Sequence, residues 1–82
     1  MTRLLRPPRP IRVRLGADGA PCAVEMEGRL VPVETLERWR TSEAWWADPV
    51  DREYARVAGP EMLFVIFCDL LGGGWFLERV LD

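Results

Sequence analysis

The chain of 82 residues contains no histidine, lysine, asparagine or glutamine, and its only serine is Ser42. Without histidine and lysine, the chain lacks the usual general base near neutral pH and the amine that forms Schiff bases. A Ser-His-Asp triad is excluded for the same reason. We therefore predict that the protein is not an enzyme and has no catalytic residues, and an enzyme that uses a pair of carboxylates is the alternative.

Cysteine is scarce as well, because Cys22 and Cys68 are the only two and lie 46 positions apart. This spacing does not match the paired cysteines of a zinc site, and no histidine is available to complete one. Two buried free thiols are the preferred interpretation, and a disulfide between paired strands is the alternative. We expect neither a metal site nor a cofactor.

Long hydrophobic runs are missing, and no stretch approaches the roughly 20 apolar residues that span a membrane. The pair Leu4-Leu5 before Pro7-Pro8 is too short for the apolar region of a signal peptide. We expect a cytoplasmic protein without membrane contact. All 11 basic residues are arginine. Together with the missing amides this favours a thermophilic source, although arginine without lysine can also reflect nucleotide composition.

Charge is unevenly distributed along the chain. Residues 1–14 carry five arginines and no acid, and the other 68 residues carry six arginines and 13 acids, for a net charge of −2. We predict a flexible arm rich in arginine and proline over residues 1–10, and a single β domain over residues 11–82. In the arm, Arg3, Arg6 and Arg9 are candidate contacts for nucleic acid or an acidic protein, and a solubilising tail is the alternative.

Alternation of apolar and polar residues predicts strands rather than helices. Six extended runs are separated by glycine and proline signals, at residues 11–15, 22–27, 29–40, 52–58, 62–68 and 75–81. Leu63 to Phe67 are apolar without a gap, so this strand must be covered on both faces. We predict an all-β fold, a small, partly open antiparallel barrel or rolled sheet of about six strands. A short helix at Glu34–Arg40 and a helical turn within residues 41–51 are the local alternatives.

The aromatic residues supply the main candidate for a binding surface. Trp45 and Trp46 are adjacent and cannot both face inward in an extended segment, so one of them is expected to be half-exposed. Four arginines lie near them in sequence: Arg38, Arg40, Arg52 and Arg56. Arginine beside tryptophan is how small barrels hold single-stranded nucleic acid, and the alternative is a core tryptophan covered by arginine. The acids among these arginines oppose phosphate, so only weak nucleic-acid binding is expected.

Two segments carry a family resemblance over roughly residues 28–82. They are Trp-Trp-x-Asp-Pro-Val-Asp-Arg-Glu-Tyr at residues 45–54, and Phe-x-Asp-Leu followed by Gly-Trp-Phe-Leu-Glu-Arg-Val-Leu-Asp within residues 67–82. They resemble a small bacterial module of unknown function and the C-terminal tail of ImuB-type proteins. Those proteins are catalytically degenerate Y-family polymerase homologues that work with a replicative-type polymerase in damage-induced mutagenesis. The turn at residues 71–74 departs from the family pattern, which has a Gly-Arg before the tryptophan.

The resemblance implies no catalytic residues and an accessory role near translesion synthesis. Our hypothesis is therefore a non-enzymatic interaction module that serves DNA-damage tolerance through protein contacts, its partner being a DNA polymerase assembly. The expected contact residues are the two tryptophans and four arginines named above. Single-stranded nucleic-acid binding by the same surface is the alternative function. Exposed edge strands are also compatible with a homodimer.

Overall fold

The computed structural model describes residues 2–43 and 49–81 and confirms the all-β fold. Seven antiparallel strands form one open, curled half-barrel sheet. In chain order they are β1 (Arg3–Leu15), β2 (Pro21–Met26), β3 (Arg29–Pro32), β4 (Glu34–Glu43), β5 (Val50–Ala58), β6 (Leu63–Asp69) and β7 (Trp75–Leu81). Across the sheet the order is β3-β2-β1-β7-β6-β5-β4. Within the described ranges there is no helix long and apolar enough to cross a membrane.

The third predicted run, residues 29–40, is extended as predicted but supplies two strands. β3 pairs with β2, β4 pairs with β5, and only Val33 separates the two. Pro32 cannot donate a hydrogen bond to a ladder, and it ends β3 where the chain changes partner. This bend explains why there are seven strands rather than six. The alternative of a helix at Glu34–Arg40 is wrong, because these residues belong to β4. The alternative of a helical turn within residues 41–51 is wrong for residues 41–43, which also belong to β4, and residues 44–48 lie outside the described part.

The first strand includes most of the segment that the sequence predicts to be a flexible arm. Residues 3–10 belong to β1 and pair with β7, so the start of the domain moves from residue 11 to residue 3. The register of this pairing shifts where Pro7 and Pro8 lie, because proline has no N–H to donate. Pairing with the arm gives the backbone of β7 a partner on both of its edges, which the sequence pattern alone did not reveal.

The core lies on the inner, concave face of the sheet. Its buried residues come from β2, β5, β6 and β7: Val24, Ala55, Val57, Phe64, Ile66 and Leu77. Half-buried side chains from the same face close around them, including Ile11 and Val13 of β1 and Trp75 of β7. The prediction that β6 is covered on both faces is confirmed, because all four residues from Phe64 to Phe67 are buried.

The turn between β6 and β7 is built on one side chain. Oδ1 of Asp69 accepts hydrogen bonds from the backbone N–H groups of Leu71 and Gly72, each 3.0 Å long. These two bonds favour the ionised carboxylate and lower the pKa of Asp69. Gly73 and Gly74 follow with φ values of 81° and 92°, a region that favours glycine. The sequence prediction of a glycine turn between two strands is therefore correct.

The two cysteines are free thiols on different strands, as the preferred interpretation held. Cys68 on β6 is half-buried, and burial, assisted by the nearby carboxylates of Glu53 and Asp69, raises the pKa of its thiol. Cys22 on β2 is exposed, so its predicted burial is wrong. It lies in the short strand beside the sheet edge, where less of the fold covers it.

Candidate interaction surface

Four aromatic side chains form a continuous row across the outer face of the sheet. Each is the direct cross-strand partner of the next, from β4 to β7: Trp39, Tyr54, Phe67 and Phe76. The ring centroids of successive pairs lie 5.4, 5.3 and 5.3 Å apart, and the first pair is stacked with an interplanar angle of 2°. We call this set the outer aromatic row. Cross-strand aromatic pairs stabilise a sheet and present a flat apolar surface.

Exposure of the outer aromatic row changes from its centre to its end. Phe67 in the middle is only 2% exposed, because ring neighbours cover it on both sides. Trp39 lies on the edge strand β4 and is 38% exposed. Among the described residues its ring pairs with Tyr54 alone, so within the described part of the chain the row ends at Trp39.

An arginine covers the centre of the row. The guanidinium carbon of Arg52 lies 4.4 Å from the centroid of the Phe67 ring, and Nη1 donates to the hydroxyl of Tyr54 at 3.3 Å. A cation placed over a ring face in this way is attracted by the ring's electrons. No carboxylate of the described residues lies within ion-pair distance of this guanidinium. A shallow cavity of about 200 Å³ opens beside it, walled by Pro7 and Pro8 of β1.

The other arginines of the predicted site are divided between the two faces. Arg38 and Arg40 lie on the inner face, where Arg38 pairs with Glu53 and Arg40 makes two hydrogen bonds of 2.9 and 2.7 Å to Asp51. The hydrogen bond from Arg40 lowers the pKa of the Asp51 carboxyl, and the same contact raises the pKa of Arg40. Both arginines are therefore held by carboxylates of β5 on the face opposite the aromatic row.

Arg56 shares the outer face with Arg52 but has a carboxylate partner. Its Nε lies 3.5 Å from Oε2 of Glu37, within ion-pair distance but without hydrogen-bond geometry. Of the four arginines predicted to form one site, only Arg52 thus lies over the aromatic row with no described carboxylate within ion-pair distance. Its cross-strand partner is Asp69, and the charge of Arg52 contributes to the lowered pKa of that carboxyl. The sequence could not show this division of the arginines, because the register between β4 and β5 decides which residues of the two strands share a face.

The arm arginines lie in β1 rather than in a mobile segment. Arg3 and Arg6 are exposed, and Nη1 of Arg9 donates to Glu27 at 2.9 Å across the gap to the turn after β2. This last pair joins two well-exposed side chains, so its contribution to stability is small. Arg3 and Arg6 therefore lie at the surface of a strand.

The predicted tryptophan pair, Trp45 and Trp46, lies outside the described residues. The outer aromatic row was not found from the sequence, because its members are 9 to 15 positions apart and only the strand registers bring them together. The signal was present in each strand as one aromatic residue at an outward position. Combining the four would have required the correct pairing of β4 with β5, of β5 with β6 and of β6 with β7.

Within residues 2–43 and 49–81, no group of three or more Cys, Asp and Glu side chains is placed to hold a metal ion. Comparison of the chain with models of protein families, with curated proteins and with solved structures finds no match. The arrangement of the outer aromatic row and Arg52 is therefore interpreted from its own chemistry. A flat aromatic strip with one arginine over it can stack against planar groups and exclude water from an interface.

Proposed function

We propose that this chain is a non-enzymatic interaction module that acts through contact with a protein partner in the cytoplasm. The observation that supports it best is the outer aromatic row, with Trp39 exposed at its end and Arg52 over its centre. Aromatic residues and arginine are enriched in protein interfaces and contribute most of their binding energy. Their rigid placement on paired strands lowers the entropic cost of binding.

Charge pairing favours a protein over nucleic acid as the partner. Arg38, Arg40 and Arg56 each have a carboxylate partner, and releasing them for phosphate would leave those acids unpaired. Nucleic-acid affinity depends on the number of cations that replace counterions on phosphate. The outer aromatic row offers one such cation at its centre, so a polyanion gains little there.

The resemblance to the tail of ImuB-type proteins leads us to propose a partner in DNA-damage tolerance. On this proposal the chain is an accessory to a translesion polymerase assembly and contacts its protein components. On this proposal the outer aromatic row is the main contact surface. Trp45 and Trp46, which the sequence analysis named as contact residues, form a further part of the contact.

Binding of purified partner proteins to the immobilised chain tests this proposal. The probes are the Y-family polymerase homologue and the replicative-type polymerase of the same organism. We expect Trp39→Ala and Arg52→Ala to weaken binding at least tenfold, because central aromatic and arginine contacts contribute about 2 kcal/mol or more. Leu30→Ala is the matched control, because Leu30 is an exposed apolar residue on the edge strand β3. Equal weakening by all three variants, or no binding of either polymerase, contradicts the proposal.

Single-stranded nucleic-acid binding is the second candidate, because Arg52 stacks on Phe67 beside an exposed tryptophan. Titration with an oligonucleotide at low and physiological salt separates the two functions. We expect weak binding that the double substitution Arg3→Ala and Arg6→Ala abolishes. Substitution is used rather than deletion because these residues belong to β1. Tight, salt-sensitive binding that survives this substitution and is lost in Trp39→Ala would promote the second candidate.

A further inference from the structure

β4 is an edge strand with one free side. Its first edge is paired with β5 along the whole strand, from Glu34 opposite Ala58 to Glu43 opposite Val50. Its second edge meets β2 only near its start, where the hydroxyl of Thr35 donates to the carbonyl of Pro21 at 2.7 Å. Beyond that point no described strand pairs with β4 on this side. A strand edge of this kind is a template for a further strand.

The hydrogen-bonding direction of each residue follows from the neighbouring strands. The N–H of Leu70 donates to the carbonyl of Asp51 at 2.9 Å, so the backbone groups of Asp51 point toward β6. Because direction alternates along a strand, the groups of Arg52 and Tyr54 point toward β4. Their partners on β4 are Thr41 and Trp39, which therefore bond to β5.

The residues between these partners point the other way. By the same alternation, the backbone N–H and C=O groups of Arg38, Arg40 and Ser42 face the free edge. No backbone bond joins them to another described residue across this edge. β4 contains no proline, its register irregularity between Thr35 and Glu37 lies before this part of the edge, and the charges of Arg38 and Arg40 are paired with carboxylates of β5.

We propose that a second copy of this chain adds its β4 antiparallel to this free edge, with the two-fold axis at Trp39. In this register the backbone groups of Arg38 bond to those of Arg40 in the second copy, and the reverse. Trp39 then opposes Trp39 of the second copy in a non-hydrogen-bonded pair, in which Cα atoms lie only about 4.5 Å apart. The two outer aromatic rows join end to end at the place where each row ends.

The outer aromatic rows select this register over its neighbour. Centred on Trp39, the pairing places Glu37 opposite Thr41 of the second copy, which lies beside Arg52 of that copy. Shifting the axis by one residue, to Arg40, would place Trp39 opposite Thr41, and the two rows would no longer join end to end. Like charges directly opposite each other destabilise a strand pair. In the proposed register Arg38 lies opposite Arg40 of the second copy, but each arginine is already paired with a carboxylate on β5 of its own chain.

The interface formed by two short edges is small, so we expect a dimer with a dissociation constant on the order of micromolar. Because Trp39 belongs to both contacts, the two proposals are separated by variants that change only one of them. Arg40→Pro removes an N–H of the free edge and leaves the outer face unchanged, and Arg52→Ala removes a side chain of the outer face and leaves that edge unchanged. A monomer would therefore leave the proposed function standing, and failure of polymerase binding would leave the dimer standing.

Sedimentation of the whole chain over a range of concentrations tests the association. We expect the mass to rise from 9.4 kDa toward twice that value. Arg40→Pro removes an N–H from the free edge and should weaken association at least tenfold. The matched control is Arg40→Ala, which removes the same ion pair to Asp51 but keeps the N–H, and it should still dimerise. Circular dichroism and a thermal melt establish that both variants remain folded.

Oxidative cross-linking tests the register independently of Arg40. In a Cys22→Ala, Cys68→Ala background, Trp39→Cys places the Cα atoms of the two new cysteines about 4.5 Å apart in the dimer. This variant should give a covalent dimer on mild oxidation. Thr41→Cys is the control, since its Cα atoms lie roughly 14 Å apart in the proposed register and should not cross-link. A monomer at all concentrations, or cross-linking of Thr41→Cys without Trp39→Cys, overturns the proposal.

Discussion

The strand β6 buries four consecutive residues, two on each face of the sheet, and the two faces are covered in different ways. Phe64 and Ile66 point inward and are enclosed by side chains from β2, β5 and β7. Val65 and Phe67 point outward, where Phe67 is covered by its neighbours in the outer aromatic row and by Arg52. The inner face is thus closed by the curl of the sheet, and the outer face by a single layer of side chains.

The inner face therefore contributes most to the stability of the fold, and the outer face is the one that can bind another molecule. Inner residues have partners on every side, so a change there leaves a cavity. The outer layer has protein on one side only, and its far surface is available to another molecule. Substitutions on the inner face, on the outer face and in the turn between β6 and β7 should therefore differ in their cost to stability.

Ile66→Ala should have the largest effect, because Ile66 is 0% exposed at the centre of the inner face. Loss of a buried isoleucine costs about 2–5 kcal/mol, a large part of the roughly 5–15 kcal/mol that stabilises an ordinary domain. Denaturant unfolding followed by circular dichroism measures it. A loss below about 1 kcal/mol would show that the inner face is not the main core.

Phe67→Leu should have an intermediate effect, about 1–3 kcal/mol, because it removes two ring pairs at the centre of the outer aromatic row while keeping an apolar side chain. Phe64→Leu is the matched control on the inner face, where Phe64 belongs to no ring pair among the described residues. The same unfolding experiment compares the two variants. If Phe64→Leu costs as much as Phe67→Leu, ring pairing contributes nothing beyond apolar burial.

Trp39→Ala should cost less, about 1 kcal/mol, since it removes one stacked pair at the exposed end of the row. The measurement is made at protein concentrations where the chain is monomeric, so that loss of self-association does not contribute. A cost similar to that of Ile66→Ala would mean that the end of the row is part of the core and is not free for a partner.

Asp69→Asn should have the smallest effect, and the effect should depend on pH. The pKa of Asp69 is lower in the folded chain than in the unfolded chain, where it is about 3.9. Ionised Asp69 therefore stabilises the fold above that value, and this contribution is lost as pH falls through the folded pKa. We expect the melting temperature of the variant to lie below that of the wild type at about pH 7, and the difference to shrink below about pH 4. A difference that is constant with pH would contradict the role of the charge.

Most of the fold could be predicted because it depends on local patterns. Alternation in Ile11–Leu15, the ungapped run Leu63–Phe67 and the glycine turn at residues 72–74 each indicate structure within a few residues. The prediction of a flexible arm over residues 1–10 was wrong for residues 3–10. The prolines there are typical of a flexible segment, and only the pairing of β1 with β7 shows that these residues form a strand. The candidate site was predicted less well, since adjacency in sequence joined Arg38 and Arg40 to Arg52 and Arg56 although they lie on opposite faces.

The sequence by itself determined that this chain is an all-β domain with one strand buried on both faces, because hydrophobic periodicity is a property of each strand alone. Only the tertiary structure decided which residues form a surface. Trp39, Tyr54, Phe67 and Phe76 come together through the registers of three strand pairs, and a shift of one residue in any of them would break the row. Register depends on the packing of the whole sheet, so the outer aromatic row and the free edge of β4 appear only once the sheet is assembled.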